Sequence, residues 1–185
     1  EAQVSALADQ AANTVYQIGT GIANLINEAK ERKERERQRQ LEIKQREEAA
    51  KLKLEQERQF RLNIRNTIFE TYKDSPVPIS TSKVPFDKVY YFVYAFDSTM
   101  IDKEGMKVFL SQAPFEIARY SDGTWPYKKS IVDKAQSISP FKERIVGYYG
   151  TLDEAATALT LFEESAYKSN ASIQKVVFNY VKGQS

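Results

Sequence analysis

Val89-Tyr-Tyr-Phe-Val-Tyr-Ala-Phe96 is eight apolar or aromatic residues in a row. Its length and its β-branched and aromatic content predict a strand, and the lack of polar alternation predicts a central one, covered on both faces. Strands on either side of it follow from the same kind of reading. Met106–Gln112 and Phe115–Tyr120 are strand candidates separated by Ala113-Pro114, and Ser121-Asp-Gly-Thr124 is a turn signal. Trp125-Pro126 opens a short helix with Tyr127, Ile131, Ala135 and Ile138 on one face, since Pro suits a first helical turn. Glu143–Tyr149 reads as a further strand. Thr151 and Glu154 form a capping-box pattern at the start of a helix that buries Leu152, Ala155, Leu159, Phe162 and Ala166. Ser172–Val181 reads as the last strand. The whole is a small α/β sandwich with a mixed sheet, built from residues 88–185.

Upstream the texture changes. Residues 1–72 hold no Pro, two of the seven Gly and four of the 22 aromatics in the 185-residue chain. They predict one long helix, which if continuous is about 100 Å in length at ~1.5 Å per residue. Within it Val4, Ala8, Ala11, Val15, Ile18, Ile22, Leu25 and Ala29 are separated by alternating steps of four and three, a heptad seam of coiled-coil type. A lone helix cannot bury such a stripe. It calls either for a partner helix, of this chain or another, or for the chain's own globular part. Gly19 and Gly21 weaken the helix by roughly 1 kcal/mol each relative to Ala.

From Lys30 to Gln40 the seam gives way to a charged spacer, in which Glu28–Arg32 and Glu31–Arg35 have the favourable order for helical ion pairs. Phe60, Ile64, Ile68 and Tyr72 follow at steps of four and predict a face that docks on the globular part. Pro76, Pro78 and Pro85 mark residues 73–87 as an extended linker. The fold class is therefore α+β: a long N-terminal helix (1–72), a linker (73–87) and a globular domain (88–185).

Composition removes much chemistry. The chain has neither Cys nor His, so disulfides, thiolate or imidazole metal sites, and Ser/His or Cys/His catalysis are excluded. Asp97, Asp102 and Glu104 lack the order of a calcium loop. Carboxylates such as Glu163 and Glu164 have no apolar pocket signal beside them. No cofactor, no metal and no catalysis are expected. A net charge of +2, from 27 basic and 25 acidic residues, announces no nucleic-acid partner. No run of about 18 apolar residues exists that would span a bilayer. Gly147 and Gly150 flank Tyr148-Tyr149 and read as turn residues. Tyr120, Trp125, Tyr127 and Tyr148 are the candidate recognition group, with Arg119, Lys128 and Lys129 beside them. Aromatics near a turn stack on sugars or anchor a protein partner, and otherwise close the edge of the core.

VYYFVYAF at 89–96, followed by RIVGYYGTLDEAA at 144–156, resembles the two halves of a SPOR domain. That resemblance implies a ferredoxin-like fold and binding to peptidoglycan glycan strands. Between the two stretches this chain carries Met106–Ser139, where the family has a helix and a strand. The layout of a long helix before such a domain also resembles envelope proteins of the Bacteroidota. Residue 1 is Glu, which fits either a mature chain after signal cleavage or a fragment; the former implies a periplasmic or otherwise extracytoplasmic location. The expectation is a structural or adaptor subunit of a cell-envelope assembly, associating through its helix and docking through its domain. The alternative is a SPOR-like glycan-binding module.

Overall fold

A computed structural model describes residues 2–75, 77, 78, 83–137 and 139–181; within the N-terminal helix the side chains of 6, 7 and 9 onward are described. Val4 and Ala8 of the seam, by their side chains, and Ile138 therefore lie outside the described residues. The elements are α1 (Ala2–Thr71), β1 (Lys88–Phe96), a 3₁₀ turn (Ser98–Met100), β2 (Lys107–Ser111), β3 (Phe115–Ala118), α2 (Lys128–Gln136), β4 (Glu143–Tyr149), α3 (Leu152–Lys168) and β5 (Ser172–Val176). The fold is α+β, a long N-terminal helix followed by a five-stranded mixed sheet with helices. Two compact units divide the chain, Glu1–Leu54 and Glu55–Ser185, so the last turns of α1 belong to the second.

In the first unit α1 exposes every described side chain. Its spacer carries the expected ion pairs, Glu28–Arg32 at 3.6 Å and Glu31–Arg35 at 3.2 Å. Such solvated pairs contribute about 0.3–0.5 kcal/mol each. Helix propensity does the rest.

In the second unit β1 is the central strand. It pairs antiparallel with β4 on one side and with both β2 and β3 on the other. Its side chains alternate between two cores. Phe92, Tyr94 and Phe96 pack with Ile68 and Phe69 of α1 and with Leu159, Phe162 and Ala166 of α3. Val89, Tyr91 and Val93 pack with Phe115, Ile117, Ile131, Ala135 and Ile145. An unbroken apolar run is what a strand with two covered faces requires.

β2 and β3 are one strand with an interruption. Between the pairs Tyr91↔Phe115 and Tyr94↔Leu110, β1 has two intervening residues and its partner has four. Pro114 cannot donate to a ladder, and the two extra residues form a bulge there. Ser111 Oγ accepts the Val93 N–H at 3.2 Å within it. β5 adds parallel to β2, which makes the sheet mixed.

Several local expectations shift. β5 ends at Val176 rather than Val181, although Phe178 beyond it is buried. Thr151 and Glu154 make the capping box in full, but Leu152 is exposed because it sits in the first turn, before α3 meets the sheet. Tyr127 is the residue preceding α2, with extended backbone, and projects outward instead of joining Ile131 and Ala135. Gly147 and Gly150 both lack positive φ. They are sites of close approach: a Cβ at Gly147 would lie 2.5 Å from the Tyr91 ring, and one at Gly150 2.8 Å from that of Phe86. The linker is pinned: Ser75 N–H donates to Ile145 O at 2.8 Å, Asp74 Oδ1 accepts the Ile145 N–H at 3.0 Å, and Val77 and Val84 are buried.

Of the expected docking face of α1, Ile68 is buried in the core and Ile64 and Tyr72 pack against it, while Phe60 departs from it. Phe60 is 60% exposed, while Arg61, Arg65, Ile68 and Phe69 are buried. Arg65 is fully enclosed. Its guanidinium donates to the carbonyls of Ile101 (2.9 Å), Lys103 (2.7 Å) and Ser169 (3.0 Å), and at 3.3–3.4 Å to those of Met100 and Asn170. Ser169 and Asn170 end α3, whose last carbonyls welcome a cation. Burial lowers the Arg65 pKa, with the Arg61 charge adding to the effect, yet arginine stays charged at any ordinary pH.

Replacing Arg65 by Met leaves several buried carbonyls unpaired, and should destabilise the second unit by about 3 kcal/mol or more. Arg58→Ala, which removes the exposed Arg58–Asp102 pair, should leave stability close to that of wild type. Urea unfolding of the full chain, followed by tryptophan fluorescence, checks both.

Candidate functional site

Two places hold the residues that sequence reading singled out. In the first unit, Val15, Ile18, Ile22 and Leu25 lie on α1 at 70, 57, 53 and 67% exposure. Ala11 and Ala29 are exposed beside them. Their steps of three and four put them on one side of the helix. Three large residues off the seam, Leu7, Tyr16 and Ile26, are also exposed on this segment.

In the second unit the aromatic group is divided. The turn after β3 forms as its sequence requires. Tyr120 N–H donates to Thr124 O at 2.8 Å, Gly123 takes φ +83°, and Asp122 Oδ1 accepts from the Thr124 N–H and hydroxyl at 2.9 and 2.7 Å. This turn brings Tyr120, Trp125 and Tyr127 to one cleft with Asp122, Thr124 and Lys128 on its wall. Tyr148, on β4, is not among the residues lining it.

The three differ in exposure. Trp125 is 6% exposed and belongs to the core with Val77, Val84 and Ile131. The Arg119 guanidinium sits 5.0 Å from its ring centroid, a cation–π contact, and donates to Val84 O. The Trp125 indole Nε1 is buried and has no hydrogen-bond partner among the described residues. Tyr120 is half-buried, and Tyr127 is 85% exposed at the rim. Lys128 is held by Asp74 and by Ser75 O at 3.3 Å, while Lys129 is exposed.

Asp97, Asp102, Glu104 and Glu163 are occupied by structural work. Asp97 caps the 3₁₀ turn, accepting from the Thr99 N–H and hydroxyl, and these bonds lower its pKa. Asp102 and Glu104 pair with Arg58 at 2.8 Å and Arg61 at 3.5 Å. Glu163 pairs with Lys175 and Glu164 is exposed. Among the described residues no three His, Cys, Asp or Glu side chains are placed to hold a metal ion.

Arg65 escaped the sequence reading. Its signal was present: Arg58, Arg61, Arg65, Ile68 and Tyr72 follow at steps of three and four, the spacing of one helix face. Comparison with protein-family models, curated proteins and solved structures finds no match to this chain.

The burial pattern sorts the aromatics by a stability measurement. Trp125→Ala should destabilise the second unit by about 3–5 kcal/mol through loss of core packing. Tyr127→Ala should stay within about 0.5 kcal/mol of wild type. Urea unfolding of the full chain, followed by circular dichroism, measures the two differences.

Proposed function

We propose that this protein is a non-catalytic structural or adaptor subunit that associates with further copies of itself through the N-terminal seam of α1. Its second unit then serves as the docking domain. The observation that carries this reading is the exposed row Val15, Ile18, Ile22 and Leu25 at heptad spacing. Each such side chain gains about 1.5–3 kcal/mol on full burial, so four of them per copy provide a substantial drive to associate. Val15, Ile18, Ile22 and Leu25 are aliphatic side chains of the kind that pack knobs into holes at heptad positions. The absence of His and Cys from the chain supports a role in assembly over catalysis.

A second reading, a glycan-binding module of SPOR-like type, draws on the cleft of the second unit. Exposed Tyr127 and half-buried Tyr120 beside Asp122, Thr124 and Lys128 combine aromatic faces with polar groups, as sugar sites do.

Sedimentation of the full chain tests the first reading. Wild type should sediment as an oligomer, and the double variant Ile18→Asp/Ile22→Asp as a monomer with its second unit still folded. A wild type that is monomeric at tens of micromolar rejects self-association.

A further inference from the structure

We propose that the N-terminal segments of two copies pair antiparallel along the seam. This rests on the self-association proposed above and adds its orientation.

The first support is size. In an antiparallel heptad pair the seam residues face one another in twos whose numbers have a constant sum. Centring the overlap between residues 16 and 17 sets Val15 against Ile18, Ala11 against Ile22, Ala8 against Leu25, and Val4 against Ala29. Val4 and Ala8 enter by sequence position alone. Every alanine then meets a larger side chain, and bulk is spread evenly along the contact. Alternation of large and small residues across facing positions is what lets layers interdigitate. A parallel, in-register pair would stack Ala8 on Ala8 and Ala11 on Ala11, then Ile22 on Ile22 and Leu25 on Leu25. One half of that contact would be thin and the other crowded.

The second support is charge. Continued past Ala29, the same heptad positions hold Arg32, Glu36 and Arg39. A parallel pair brings each of these against its own copy, so three successive layers would set like charges face to face. Such layers are a device that rejects an alignment. The antiparallel overlap ends at residues 4 and 29 and brings none of them together. Within residues 2–27 the only charged side chain is Asp9, one position beyond the seam residue Ala8.

The third support is room. Gly19 and Gly21, which carry no Cβ, stand beside Ile18 and Ile22 at the middle of the overlap. The backbone of a second helix can approach closely there.

The chain has no cysteine, so single replacements report orientation without background. Full-length Ala11→Cys and Ile22→Cys chains are each oxidised alone, and then as an equimolar mixture after subunit exchange. The arrangement predicts a disulfide-linked dimer in the mixture at several-fold the level of either chain alone. Ala8→Cys with Leu25→Cys repeats the test at the next layer. Efficient cross-linking of each variant with itself would overturn the antiparallel orientation and leave self-association standing. No cross-link in any sample that sediments as an oligomer would overturn the seam as the contact. Monomeric wild type would overturn both.

Discussion

The second unit is organised around the Arg65 guanidinium. Five backbone carbonyls from two separate stretches of chain, 100–103 and 169–170, converge on one side chain of α1. Buried carbonyls without donors are costly, and here a single cation satisfies several. The arrangement fixes three things together: the end of α1, the loop that follows β1, and the C-terminus of α3. The neighbouring pairs, Arg58 with Asp102 and Arg61 with Glu104, lie on the same helix face and act on the same loop.

Around that tie the aromatic core is assembled. Phe69 stacks on Phe96 at 4.0 Å between centroids, and Tyr72 meets Phe162 edge-on at 5.3 Å. Tyr94 donates its hydroxyl to the Tyr72 carbonyl at 2.7 Å and sits under the Arg144 guanidinium. Burial pushes the Tyr94 pKa up to about 12, which keeps it a neutral donor at any physiological pH. The last turns of α1 are thus part of the core of the second unit. The first unit has a different logic: its spacer needs no core, and its seam remains exposed. The chain builds one complete core and leaves one apolar row open.

The candidate recognition cleft shows how one motif serves two ends. Trp125 and Tyr127 are two residues apart on either side of Pro126, yet one closes the core and the other stands in solvent. Tyr127 keeps extended backbone as the residue before α2, and that conformation turns its side chain away from the face shared by Ile131 and Ala135. Any ligand of this cleft meets Tyr120, Tyr127 and the polar wall, with Trp125 as the foundation beneath.

Much was legible in the residues themselves. The apolar run 89–96, the capping box at Thr151 and Glu154, the Asp122-Gly123 turn and the ion pairs Glu28–Arg32 and Glu31–Arg35 depend on neighbours within a few positions, and short-range rules describe such features well. Three things depended on contacts far apart in sequence. The docking face of α1 holds Ile64, Ile68 and Tyr72 as expected but also a buried Arg65, because carbonyls more than thirty residues away satisfy the cation. Gly147 and Gly150 serve close packing against Tyr91 and Phe86, a need that only the folded sheet creates. Trp125 is held in the core by Val77 and Val84 of the preceding linker. Local sequence determined which elements form and which helix row is apolar; the tertiary structure decided which polar groups are buried with them, since only the assembled fold brings a charge and its distant carbonyls together.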